Sequence, residues 1–174
     1  AIGRKPLISG LGLERANITK DKNNFIQVDQ YQTTNEPNIH AIGDAVGNHE
    51  LTPVAIAAGI ILSDRLFGDK EKGWLEYKNI PTVIFTHPPV GTVGMSEEEA
   101  RAAYGNKVKA YEANFVSLKH SLSGISSKAL VKLICLGQEE TVIGCHVVGQ
   151  GADELLQGFA VAINMGAQKK DLDN

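Results

Sequence analysis

Hydrophobic and polar positions follow one pattern in the first third of the chain and another in the rest. Phe25-Ile26-Gln27-Val28-Asp29 alternates after the polar turn Asp21-Lys22-Asn23-Asn24, which predicts a strand. Ile39-His40-Ala41-Ile42 predicts a second strand that runs straight into Gly43-Asp44. After the polar turn Gly47-Asn48-His49-Glu50, apolar residues at Val54, Ala57, Ala58, Ile61, Leu62 and Leu66 recur at helical spacing. Thr52 is the expected N-cap of that helix, Pro53 its first residue and Gly68 its stop. Ala1 to Arg4 reads as the exit of a strand.

Asp69 to Asn79 is polar apart from Trp74, Leu75 and Tyr77 and reads as a linker. Beyond it, strands are expected at Pro81 to Thr86, Val90 to Val93, Val108 to Phe115, Ala129 to Cys135 and Val142 to Val148. His87-Pro88-Pro89 predicts a rigid turn, and Gln138-Glu139-Glu140 the turn of a hairpin. Ser96 and Glu99 form a capping box for a short helix ending near Gly105. Asp153 to Met165 predicts an amphipathic helix burying Leu155, Leu156, Phe159, Ala160 and Ile163, with Gly166 as its stop. The fold class that follows is an α/β tail up to about residue 78 and then an α+β module, an antiparallel sheet with helices.

Composition narrows the function classes. With 174 residues, 43% of them hydrophobic, the chain can bury one good core or two small ones. The net charge is −3 and no basic run is interleaved with aromatics, so no nucleic-acid surface is expected. The longest mostly apolar stretch, Leu51 to Leu62, falls short of the roughly 20 residues of a membrane span. Two cysteines and no export signal point to a reducing, cytoplasmic setting. Cys135 and Cys145 have no redox spacing and read as buried, inert thiols. The five histidines show no metal-ligand spacing. Gly149-Gln150-Gly151 resembles the start of a dinucleotide fingerprint, but its third glycine is missing and Asp153 and Glu154 crowd the helix start.

One constellation carries chemistry: a strand ending in Gly43-Asp44, a short loop, and a helix opening at Thr52-Pro53. Such an edge offers a carboxylate for a sugar-like hydroxyl, and the helix mouth offers N–H groups and positive dipole to an electron-rich ligand. The bland alternative is that Asp44 makes only an Asx turn and Thr52 only caps.

Ile39 to Asp44 followed by Leu51 to Gly59 resembles the second FAD-binding signature of the pyridine nucleotide–disulphide oxidoreductases. The Leu-Thr-Pro-Val-Ala form is that of the branch reducing glutathione and trypanothione disulphides. Ile80 to Gly94 resembles the start of the family's dimerisation domain, and Leu156 to Ala162 with Met165-Gly166-Ala167 its late interface helix. The resemblance implies FAD and NADP as cofactors, a homodimer, and a small-molecule disulphide, glutathione disulphide first, as substrate. Asp44 would hydrogen-bond the ribityl chain of FAD with Gly43 giving close approach, and Leu51, Thr52 and Pro53 would face the pyrimidine end of the flavin. Gly3, Glu50 and Val83 match positions near the nicotinamide nucleotide. Residues 1–78 would be the C-terminal part of the NADPH/FAD-binding region, and 79–174 a dimerisation domain cut short at its C-terminus. No catalytic residue is expected within the chain. The family's cysteine pair would precede it and its His-Pro acid/base segment would follow Asn174, so the chain alone is expected to be inactive. Two departures stand out. Ile60 replaces an arginine that helps hold the glutathione carboxylates, and Val116-Ser117-Leu118-Lys119-His120 departs from the usual segment, with Lys119 a candidate replacement for the lost charge.

Overall fold

In the computed structural model, residues 3–69, 73–124 and 127–174 are described, except for the side chains of 119, 121 and 122. The chain divides into two compact units, Ala1–Tyr77 and Lys78–Asn174.

In the first unit the two expected strands do not become ladders. Ile26 makes a single antiparallel bridge with Lys20, and His40 one with Thr33. Alternation reports a residue's readiness to lie extended, whereas a ladder needs a neighbouring strand, and none is supplied among the described residues. The expected strand exit at Gly3-Arg4 is irregular backbone; Ala1 and Ile2 lie outside the described residues. A 3-10 turn, Gly43–Val46, follows the second extended piece and packs on helix α1, Thr52–Phe67. Gly68 ends α1, donating its amide to Asp64 O. Ile18, Ile26, Val46 and Ala58 are buried in this unit; Leu66, expected to face inward, is exposed. Arg65 pins α1 to the loop, donating from Nη2 to Tyr31 O at 2.6 Å and lying over the Tyr31 ring. Tyr77, read as linker, accepts a hydrogen bond from Gln32 Nε2 and stacks on His49.

The second unit is a five-stranded antiparallel sheet between helices. Its strands are β1 (Thr82–Ile84), β2 (Val90–Gly94), β3 (Val108–Val116), β4 (Lys128–Leu136) and β5 (Thr141–Val148), in the order β1-β2-β5-β4-β3. The capping box holds as expected: Glu99 N donates to Ser96 Oγ, Ser96 N donates to Glu99 Oε2, and α2 runs Glu97–Tyr104. Helices α3 (Leu118–Ser123) and α5 (Lys169–Asp173) were not anticipated; each is too short to show a period. Helix α4 (Ala152–Asn164) covers Val93, Cys135, Cys145 and Val147, while α2 covers Ile134 and Val108 from the opposite face, as strand alternation requires. Gly91 admits α4 to the sheet, because a Cβ there would stand 3.0 Å from Ala152 O. Of the five residues expected to be buried on α4, Leu156, Ala160 and Ile163 are, Phe159 is half-buried, and Leu155 is 52% exposed.

Candidate functional site

The site of interest lies in the first unit, where the Gly43–Val46 turn meets the start of α1. Leu51, not Thr52, is the N-cap: its backbone is extended, and its carbonyl accepts from Val54 N and Ala55 N at 3.0 and 3.1 Å. Thr52 is therefore the first helical residue and no side-chain cap forms. This leaves a specific pattern of donors. Val54 N is satisfied, Pro53 has no N–H, and the Thr52 amide has no acceptor among the described residues. Thr52 and Pro53 are exposed at the positive end of a 16-residue helix.

Asp44 lies in the turn that packs on this helix mouth. Asp21 and Asp29 each use one carboxylate oxygen to accept two backbone N–H bonds, which makes them turn formers. Among the described residues Asp44 accepts none. Its one partner among the described residues is Arg4, with Nη1 3.9 Å from Oδ2, and its side chain is 60% exposed. Arg4 is engaged more closely by Glu50, at 2.7 Å from Nη2 to Oε2. Arg4, Asp44 and Glu50 line one cleft of about 340 Å³ with Leu7 and Phe25. Arg4 was not singled out from sequence, and its partners are 40 or more residues away along the chain, beyond the reach of local pattern.

Gly43 does allow a close approach, but to protein. A Cβ there would stand 3.1 Å from Ala55 Cβ, and its φ of 68° lies in the left-handed region. Its role in this structure is to seat the Asp44 turn on α1. Gly3, also at positive φ, has open space around it. Val83 belongs to the second unit, where it pairs with Gly91 and packs against the core under α4.

In the second unit, clefts of about 160 and 720 Å³ share His120, Ser127, Gln150 and Gly151. Phe115 and Ser117 line the smaller; the side chain of Lys119 lies outside the described residues. Cys135 and Cys145 are free and buried, and burial pushes both thiols up, Cys145 to about 11. Helix α4 begins with Asp153 and Glu154 in its first turn, an unsuitable mouth for a pyrophosphate. Among the described residues no cluster of three or more His, Cys, Asp or Glu could hold a metal ion, and no helix is long and apolar enough to cross a membrane.

Residues 80–174 match the dimerisation domain of the pyridine nucleotide-disulphide oxidoreductases, and residues 1–59 match the pyridine nucleotide-disulphide oxidoreductase domain. Over 180 residues the chain is 46% identical to a glutathione reductase of Debaryomyces hansenii, covering 99% of the chain and 36% of that protein. Over 177 residues it is 47% identical to a glutathione reductase of Schizosaccharomyces pombe, covering 100% of the chain and 38% of that protein. The chain thus spans little more than a third of the length of these relatives.

Proposed function

The chain belongs to the pyridine nucleotide-disulphide oxidoreductase family, and from that premise we propose that it is part of an NADPH- and FAD-dependent glutathione-disulphide reductase. The observation that carries this reading is the pairing of two groups with no internal work to do. Among the described residues Asp44 makes no Asx turn and Thr52 caps nothing; both are exposed, and the turn that carries Asp44 packs on the helix that Thr52 opens.

These residues fit a flavin. The Asp44 carboxylate would accept a hydrogen bond from a ribityl hydroxyl, with Arg4, itself paired to Glu50, 3.9 Å away. The Thr52 N–H and the α1 dipole favour negative charge at the pyrimidine end. Flavin, when bound, supplies the electron transfer between nicotinamide and disulphide. By the family resemblance, Glu50 and Gly3 in the first unit, and Val83 in the second, each match a position near the nicotinamide nucleotide. Residues 1–78 are the end of the nucleotide-binding region and 79–174 the dimerisation domain of a cytoplasmic homodimer.

The reading has a direct test. The full-length protein containing this sequence should purify yellow, with flavin absorbance near that of one FAD per chain, and should oxidise NADPH only when glutathione disulphide is present. A colourless protein, or NADPH consumption indifferent to any disulphide, would refute it. A second reading, a related disulphide with fewer carboxylates, is favoured by one observation: Ile60 is 58% exposed and apolar on α1.

A further inference from the structure

Three side chains of the first unit support the loop that leads into α1, and none of them lines the cleft of Arg4, Asp44 and Glu50. Gln32 is the most buried of the three. It is 3% exposed and holds a φ of 63°, a conformation that glycine or asparagine adopts more cheaply. Its carbonyl accepts from Ala41 N at 3.1 Å, in the run that ends at Gly43-Asp44. Its side-chain amide serves a different segment, Nε2 donating to the Tyr77 hydroxyl at 3.2 Å. The Tyr77 ring lies nearly parallel to the His49 ring, with centroids 5.8 Å apart and an interplanar angle of 11°, inside the range of offset-stacked rings. His49 completes the path. Its carbonyl accepts from Leu51 N at 2.9 Å, and Leu51 caps α1. One route of contacts thus joins the extended run before Asp44 to the residue before Thr52.

We propose that His49, stacked on Tyr77, is a positioning residue that fixes the loop leading into the helix mouth at Thr52. The inference rests on the proposed function, in which that mouth meets the pyrimidine end of the flavin; His49 acts through the backbone of Leu51. Two features separate it from a loop residue that merely lies beside a ring. Tyr77 is itself held by the buried amide of Gln32, so the surface on which His49 rests is fixed. Glu50, the next residue, is engaged by Arg4, so the loop is gripped at two consecutive side chains by different forces. Salt screens the exposed Arg4–Glu50 pair, whereas the ring stack persists at high ionic strength and keeps the loop in place.

The test uses the full-length protein with His49→Ala, which removes the ring, and His49→Phe, which keeps a flat ring to stack. In the apoprotein, hydrogen exchange at the Leu51 amide should accelerate about fivefold in His49→Ala, the scale of one ring pair. Amides in the middle of α1 and in β4 and β5 should be unchanged, as the control for folding. The dissociation constant for FAD should rise about fivefold in the same variant. The flavin midpoint potential should fall, because a displaced helix mouth stabilises the reduced, negatively charged ring less. His49→Phe should restore all three readouts, and Tyr77→Leu should reproduce the losses from the other ring. Wild-type exchange at Leu51 in His49→Ala would overturn the stack as a positioning device, as would a His49→Phe variant no better than His49→Ala. Accelerated exchange with unchanged FAD affinity and potential would overturn its role toward the flavin. Should the wild-type protein bind no FAD, the proposed function fails and the flavin role with it, while the apoprotein exchange still decides whether His49 orders the loop.

Discussion

Arg4 and Glu50 form the tightest charged contact at the first unit's cleft, with Nη2 2.7 Å from Oε2, and this pairing decides what Asp44 is left to do. Arg4 also reaches Asp44, but only at 3.9 Å. With no closer donor among the described residues, the Asp44 carboxylate is left open to a hydroxyl.

Replacing Asp44 with alanine should therefore separate binding from folding. Exposed pairs at such distances contribute about 0–1 kcal/mol, so the thermal midpoint of the apo protein should barely move. Flavin affinity should fall at least tenfold, on the order of the 1.5–3 kcal/mol of a hydrogen bond to a charged group. Titration of apoprotein with FAD, followed by fluorescence quenching, measures it. A large loss of stability with unchanged flavin affinity would instead make Asp44 a turn residue.

Neighbouring positions on α4 should behave oppositely. Leu156 is fully buried under the sheet, and its truncation to alanine should cost about 2–5 kcal/mol. Leu155, 52% exposed, should tolerate Leu155→Asp with little loss of folding stability. If that face belongs to the proposed homodimer, Leu155→Asp should shift the protein toward monomer in sedimentation equilibrium. A dimer as tight as the wild type would place the interface elsewhere.

The contrast between these two leucines shows what could be read in advance. Helical spacing placed both on one face, because 100° steps cannot distinguish the edge of a buried stripe from its centre; the packing of α4 on Gly91 decides it. Strands β3, β4 and β5 were legible because their alternation and their neighbours both lie in the sequence. Residues 25–29 alternate and 39–42 are a short, mostly apolar run, yet Ile26 and His40 find one bridge each, since pairing depends on a partner that neither pattern specifies. Thr52-Pro53 marked the start of α1 to within a residue, but whether Thr52 or Leu51 caps it turns on which carbonyl accepts the first bond. Arg4 was missed because its partners, Asp44 and Glu50, are remote in sequence, and a lone cation carries no pattern.

The two thiols give a pH signature. Burial raises Cys145 from an ordinary value of 9.0 to about 11, so the folded state keeps its proton after the unfolded chain has lost it. Its contribution is complete below about pH 9 and is lost as pH rises toward 11, by on the order of 2–3 kcal/mol. Several lysines are also raised, so total stability falls in this range for more than one reason. The difference in slope between wild type and Cys145→Ala isolates the thiol: the variant should lose less stability between pH 8.5 and 10.5 in urea titrations. Parallel slopes would contradict it. At pH 7.5 neither cysteine of the folded protein should react with a thiol reagent before unfolding.

Ile60 offers the sharpest test of substrate. It lies on α1, 58% exposed, one turn beyond Ile56, itself 57% exposed. Neither side chain can pair with a carboxylate, so a substrate lying against this patch would be held by apolar contact alone. Ile60→Arg adds a planar, permanently charged donor at a solvent-facing helical position, where propensity and space both allow it. If the substrate's carboxylate lies against this turn, the variant should lower KM for glutathione disulphide roughly tenfold, the scale of a charge-assisted hydrogen bond. The gain should shrink as salt rises, since an exposed pair is screened. KM for NADPH should stay put, because the change is confined to one helix face. An unaltered KM for glutathione disulphide at low and high salt would mean that no carboxylate approaches Ile60. Lower activity on glutathione disulphide but not on a less acidic disulphide would favour the second substrate over the first.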